Sequence, residues 1–319
     1  MDLELYCTLV PLLPFEDSAA AGRIEALLLH IASEGYSGVE IQISQLLVIG
    51  KARFIAALKA AGLRFIGKVY SSGGPGACPH AAGFAASHPP GGRGVAEHVA
   101  VWSASVRECC EPVELRELLV SISSQSGRDF FHRGDGAEAR VFFQAALALQ
   151  CALRITIHHE THRHRLLFSP FFAVEAVACY PTLRLLGDLS HYAVVCEASC
   201  GEAELEDCVS AIVHRIGHVH LRVGYSEGPQ IQDPRLPEGA SQLAGHARWW
   251  AAVWLAARKR GDKAVTATPE FLLPPYARVG DDVTGANAYM ARYARQLFNA
   301  TKEEDPLAAV ESFILKGLA

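Results

Sequence analysis

No apolar run in this 319-residue chain comes near the roughly 20 residues of a membrane span, so no membrane association is expected. The opening Met1-Asp-Leu-Glu-Leu-Tyr6 has neither the basic n-region nor the apolar core of a signal peptide, and the chain is read as cytoplasmic. Positive charge is not in excess. The 29 Lys and Arg against 34 Asp and Glu, a formal charge of −5, leave no electrostatic footprint for nucleic acid or anionic lipid. The nine cysteines are odd in number, and neither Cys109-Cys110 nor Cys196 with Cys200, one helical turn apart, has a partner pair at zinc-site spacing. Reduced thiols serving as small apolar residues are expected, not a disulfide framework. A Gly-rich phosphate cradle, a nucleophile elbow and a repeat longer than a strand-helix unit are missing too.

What is present suits a large core: half the residues are hydrophobic and a fifth charged. Strands are expected at Glu4 to Val10, Gly38 to Ile43, Leu63 to Tyr70, Leu118 to Gly127 and within Arg154 to Arg165, then around 185–191, 218–223 and 264–270. Helical spacing falls between them, near 24–34, 52–61, 97–110, 141–149, 171–179, 204–216, 243–260 and 286–298. Eight strand-then-helix units imply parallel strands with right-handed crossovers, and eight close a (β/α)8 TIM barrel, α/β in class and one domain over residues 1–319. Residues 71–95 interrupt it as a Gly/Pro/Ala-rich insertion, and an extra C-terminal helix is expected at about 306–318.

The chemistry gathers at strand ends. Alternate residues of a strand share a face, so Thr156, His158, Glu160 and His162 point one way, and Leu153, Ile155 and Ile157 the other. Three later strands also end in polar groups: Asp188 with His191, the His218/His220 pair, and Glu270. In such a barrel the active site lies at the C-terminal ends of the strands, where all of these fall. Carboxylates with one imidazole suit one hard or borderline divalent ion, Mn²⁺, Mg²⁺, Co²⁺ or Zn²⁺, and no thiol stands there to argue for structural zinc.

At Glu160-Thr-His162, Gly187-Asp-Leu-Ser-His191, His218-Val-His220 and Pro269-Glu-Phe271 the chain resembles the xylose isomerase-like barrels, the sugar phosphate isomerase/epimerase superfamily. It looks like a branch of that group carrying Glu-Thr-His-Arg and a segment such as Arg222-Val-Gly-Tyr-Ser-Glu-Gly-Pro-Gln230. The resemblance implies that Glu160, Asp188, His220 and Glu270 bind one divalent metal. It also implies that Glu160 and Glu270 carry the proton of an isomerisation or epimerisation through an enediolate, which a cation at the sugar oxygen stabilises. His191 matches a position that contacts substrate or takes a second metal in that family. His158, His162, Arg128, Arg163, Arg222 and Gln230 are the further candidate substrate contacts.

The chain departs from the family's ketose 3-epimerases, with Leu166 where they have a second glutamate and Ser226 where they have an arginine. Its own cations are Arg163, Arg165 and Arg222. An arginine fork suits a carboxylate or phosphate, so the expected partner is a small sugar-like substrate, acidic or phosphorylated; salt bridges are the equal reading for Arg163 and Arg165. The apurinic endonuclease of the superfamily needs histidines on strands 3 and 4, which end Lys68-Val-Tyr-Ser71 and Ser123-Ser-Gln-Ser126, and a histidine where Arg235 stands. DNA repair is therefore set aside. A metal-dependent lyase or dehydratase on a keto-polyol, or a sugar-binding barrel without turnover, uses the same residues. Glu40 and Lys68 are expected as a buried pair, and Trp249, Trp250 and Trp254 as core packing or a contact in a homo-oligomer.

Overall fold

The computed structural model describes residues 1–13, 22–71, 94–198 and 200–318. The insertion expected at 71–95 lies outside the described residues except at its ends. Eight parallel strands close a barrel in the order β1 to β8: β1 (Asp2–Thr8), β2 (Gly38–Gln42), β3 (Arg64–Tyr70), β4 (Leu119–Gln125), β5 (Ile157–Glu160), β6 (Arg184–Gly187), β7 (Ile216–Leu221) and β8 (Ala264–Pro269). One main helix follows each strand: α1 (Ile24–Ser33), α2 (Lys51–Ala61), α3 (Val95–Cys110), α4 (Ala137–Leu153), α5 (Pro170–Cys179), α6 (Ala203–Ile212), α7 (Ala240–Arg260) and α8 (Val283–Ala300). The alternation expected of the sequence is thus the alternation observed.

Two contact units make up the chain, one of Tyr6–Glu160 with His164–Leu166, the other of Met1–Leu5, Thr161–Arg163 and Leu167–Ala319. In the first, β2, β3, β4 and β5 pair in order. Phe54 of α2 meets Phe65 edge-on at 5.6 Å, and Trp102 of α3 meets Phe142 of α4 at the same distance. Gly38 is required there, because a Cβ would come within 2.2 Å of the Arg64 carbonyl oxygen. Glu40 and Lys68 are both buried.

In the second unit β6, β7 and β8 pair in order, and the first residues of β1 pair with β8. Trp249, Trp250 and Trp254 are buried within the chain, Trp254 edge-on to Phe298 of α8 at 5.4 Å, so they are core packing and not a subunit contact. A helix over Pro306–Leu318 follows α8. No helix among the described residues is long and apolar enough to cross a membrane.

The structure corrects the boundaries at β5. Helix α4 runs on to Leu153 and ends at Arg154, which takes the left-handed conformation with φ 51°. Leu153 therefore packs as a helical residue rather than on the outer face of the strand, and β5 keeps only Ile157–Glu160. Short helices at Ile43–Ile49, Val113–Leu118 and Ser190–Val195 have too few turns to show a period of their own.

Candidate active site

Each expected ligand ends a strand or begins the loop after it. Glu160 is the last residue of β5, Asp188 and Glu270 directly follow β6 and β8, and His220 is the penultimate residue of β7. All four are buried, at 1%, 0%, 1% and 0% exposure respectively, and within the unit that holds β6 to β8 one polar atom from each of Asp188, His220 and Glu270 lies within 4.8 Å of those of the others. Two carboxylates and an imidazole at that spacing fit the donor chemistry of a hard or borderline divalent ion. Unpaired charge at such depth is expensive, so the cluster needs cations beside it.

Arg222 is such a cation, one residue past the end of β7. Its Nη2 donates to Asp188 Oδ2 and lies 3.7 Å from Glu270 Oε2; its Nε donates to Ser190 Oγ at 3.2 Å. Ser190 in turn donates to Asp188 Oδ1 at 2.5 Å, so both oxygens of Asp188 are held. Burial alone would raise the Asp188 carboxyl, but Arg222 and His220 outweigh it and hold it below the usual carboxylate range. His220 Nδ1 stands 3.0 Å from Glu270 Oε2 and 3.7 Å from Asp188 Oδ2. The acid-binding role expected of Arg222 toward substrate is thus taken up by carboxylates of the site itself.

The neighbouring groups have clear supports. His218 bonds two threonines of β8, Thr266 at 2.8 Å and Thr268 at 3.3 Å, and it is His220 that stands beside Asp188 and Glu270. The rings of His162 and His191 lie 4.0 Å apart, and His162 Nδ1 donates to the Arg163 carbonyl at 2.5 Å. Arg222 lies under the Tyr276 ring at 5.0 Å, and half-buried Arg163 meets the same ring at 5.8 Å.

Gln230, expected as a substrate contact, gives its amide to Leu272: Nε2 donates to the Leu272 carbonyl at 3.1 Å, and Oε1 accepts its N–H at 2.9 Å. Asn287 of α8 does the same for Phe271, at 2.9 and 2.7 Å. The two amides bracket the backbone directly after Glu270. His246 of α7 donates from Nδ1 to the Gln242 carbonyl at 2.9 Å and accepts the Gly224 N–H on Nε2 at 3.2 Å. Gly224 packs so closely that a Cβ would meet the Ser190 carbonyl oxygen at 2.3 Å, which ties the loop after β7 to the loop after β6.

The chain is similar in structure to D-allulose 3-epimerase from Methylomonas sp., with TM-score 0.57 and 14% identity over 92% of this chain and 97% of that one. It is similar to 3-keto-D-glucoside 4-epimerase from E. coli, with TM-score 0.56 and 14% identity over 92% and 100%. A xylose isomerase domain protein from Alicyclobacillus acidocaldarius gives TM-score 0.55 and 14% identity over 94% and 100%. The chain has the eight-stranded α/β barrel fold of these proteins. No family model matches the sequence, and no curated protein matches it, so at 14% identity the likeness is one of fold.

The other candidates lie on or just past β4 and β5. His158 is buried on β5. Arg165 is fully buried, with Nη2 donating to Gln125 Oε1 at 3.1 Å; burial first, and Arg128 second, pull its guanidinium down to about 10. It is therefore a buried cation rather than a surface one. Arg128 lies over the Phe130 ring at 4.9 Å, and its buried Nε has no hydrogen-bond partner among the described residues.

One functional-looking residue was not foreseen. His159 turns from His158 toward α3 and α4, where its Nδ1 meets Ser126 Oγ at 2.6 Å. Ser126 continues to Ser124 Oγ at 2.8 Å, which accepts the Trp102 Nε1–H at 2.7 Å. The signal was available: Ser124 and Ser126 stand at alternate positions along β4 and into its loop, and Ser124 pairs with His159 in register.

Proposed function

We propose that the protein is a divalent-metal-dependent isomerase or epimerase of a sugar or keto-sugar, moving a proton at the carbon beside a carbonyl. The observation that carries this reading is the buried group Asp188, His220 and Glu270 at the C-terminal ends of three consecutive strands, with Glu160 buried at the end of β5. These four would hold the ion, which when bound would supply Lewis acidity for the negative charge that develops on the sugar oxygen.

The rest of the chemistry belongs to the side chains. A carboxylate takes the proton from carbon, the C–H electron pair moves into the enediolate, and a proton returned to the other face, or to the adjacent carbon, completes an epimerisation or an isomerisation. Asp188 is the poorer base, since Arg222, Ser190 and His220 surround it and its carboxyl is held low. Glu160 and Glu270 take the proton-carrying roles. Arg222 Nη2 lies 3.7 Å from Glu270 Oε2 and donates to Asp188 instead. Because Arg222 is committed to Asp188, Ser190 and His191, the reading requires no acid group on the substrate.

The test is elemental analysis of protein purified without chelator, wild type beside Glu270→Gln, followed by incubation with ketohexoses in deuterated water. About one equivalent of divalent metal in the wild type, less in the variant, and deuterium appearing beside the carbonyl are expected. A wild type that holds no metal and takes none up would remove the reading.

A further inference from the structure

Arg163 stands one residue past His162, whose ring lies 4.0 Å from that of His191, and its guanidinium shares the Tyr276 ring with Arg222, at 5.8 and 5.0 Å respectively. The two cations are used differently. Arg222 gives its donors to Asp188, Ser190 and His191. Arg163 is half-buried, yet among the described residues its guanidinium makes no ion pair and no hydrogen bond. Two other arginines of the same unit show the alternative: Arg235 lies 2.6 Å from Asp233 and 2.9 Å from Asp282, and Arg260 lies 2.6 Å from Asp262.

A guanidinium carries five N–H donors in a planar fork and keeps its charge at any working pH. The face of an aromatic ring attracts that charge but accepts none of those hydrogen bonds in full, so Tyr276 aims the fork without satisfying it. The backbone beneath is fixed as well, because His162 Nδ1 donates to the Arg163 carbonyl at 2.5 Å. A planar fork is matched pairwise by the oxygens of a carboxylate or a phosphate, whereas a sugar hydroxyl offers it one oxygen. We propose that Arg163 binds an anionic group on the substrate, a carboxylate or a phosphate, with Tyr276 as the platform that aims it, so that the sugar taken at Asp188, His220 and Glu270 is an acidic one. Arg163 thereby takes the part that Arg222, held by Asp188 and Ser190, has no donors left to play. This role deepens the proposed function and rests on it for what becomes of the sugar, whereas the binding of the anion does not.

The experiment is calorimetric titration of the whole protein, as purified, with fructose, fructuronate and fructose 6-phosphate at low ionic strength. At least one of the two acids is expected to bind about tenfold more tightly than fructose, and the better of them tells carboxylate from phosphate. Arg163→Met is expected to bring that ratio within about twofold of one, and Arg163→Lys, which keeps the charge but not the fork, to retain a preference of only about threefold. Equal affinity of the wild type for all three sugars, no binding of either acid at millimolar concentration, or an undiminished preference in Arg163→Met overturns the proposal. Should Arg163→Met not fold, the wild-type and Arg163→Lys ratios decide it. Because binding is read without turnover, the two readings fail separately. Acid binding through Arg163 with no proton exchange in any of the sugars removes the isomerase reading alone; exchange in fructose with no preference for its acids removes this one alone.

Discussion

His159 and His191 are both buried imidazoles close to strand ends, and each has one ring nitrogen without a hydrogen-bond partner among the described residues. Burial pulls His159 down to about 4, and burial with His162 and Arg222 beside it pulls His191 well below its ordinary value. Depth and depressed basicity therefore do not separate them; their neighbours do. His159 ends a neutral chain of two serines and a tryptophan between the Trp102 and Phe143 rings. His191 touches a guanidinium and a carboxylate that themselves meet a second carboxylate. A buried histidine becomes part of a site when the groups around it carry charge in excess of what folding needs.

The sharpest way to break this comparison is to change one residue on each side. Glu270→Gln is expected to lower deuterium exchange into substrate by about 10²- to 10⁴-fold with the melting temperature little changed, whereas His159→Phe should leave turnover per folded molecule within about twofold. Equal losses of turnover would end the distinction.

Next in size is acid sensitivity, carried by His159 and by His246, which burial likewise pulls to about 4. Each imidazole stays neutral when folded and takes a proton when unfolded below its ordinary 6.5. Stability is therefore complete above about 6.5, is lost as the pH falls toward about 4, and amounts to about 3 kcal/mol for each group. Urea unfolding across that range should show the loss, and His159→Phe should shrink it; an unchanged profile in the variant would mean that His159 takes its proton in the native state.

Smaller effects sharpen the picture. Ser126→Ala leaves the His159 Nδ1 and Ser124 hydroxyl without a shared partner and should lower the unfolding free energy measured in urea by about 1–3 kcal/mol, again with turnover per folded molecule intact. Tyr276→Leu removes the ring over Arg222 and should cost about 0.5–1 kcal/mol, read as a few-fold rise in KM; Tyr276→Phe keeps the ring and should show no rise.

The barrel was legible because period-two strands alternate with period-3.6 helices, a pattern that survives without any contact information. Asp188, His220 and Glu270 were legible because each interrupts an otherwise apolar strand end. The short β5 was less so: the apolar residues of α4 run straight into the strand, and what divides them is the left-handed turn at Arg154, a conformation that arginine does not advertise. His159 was hidden by its neighbour, since adjacent strand residues face opposite ways and His158 and Glu160 drew the reading to one face. Arg222 was placed on the correct face, but periodicity does not say which acid a guanidinium will meet. Gln230 and Asn287 reach backbone 42 and 16 residues away, separations at which no local pattern operates.

Those two amides bear on how fast the site can work as well as on how it is built. Four hydrogen bonds fix the backbone of Phe271 and Leu272, immediately after the glutamate assigned to proton transfer. A free glutamate side chain retains up to about 2 kcal/mol of rotamer entropy, and its backbone a similar amount. Here that freedom is surrendered when the chain folds, so the carboxylate does not have to search for its place each time a sugar arrives. Loosening the bracket would return the search to every turnover, and a base displaced by an ångström costs about a hundredfold in rate.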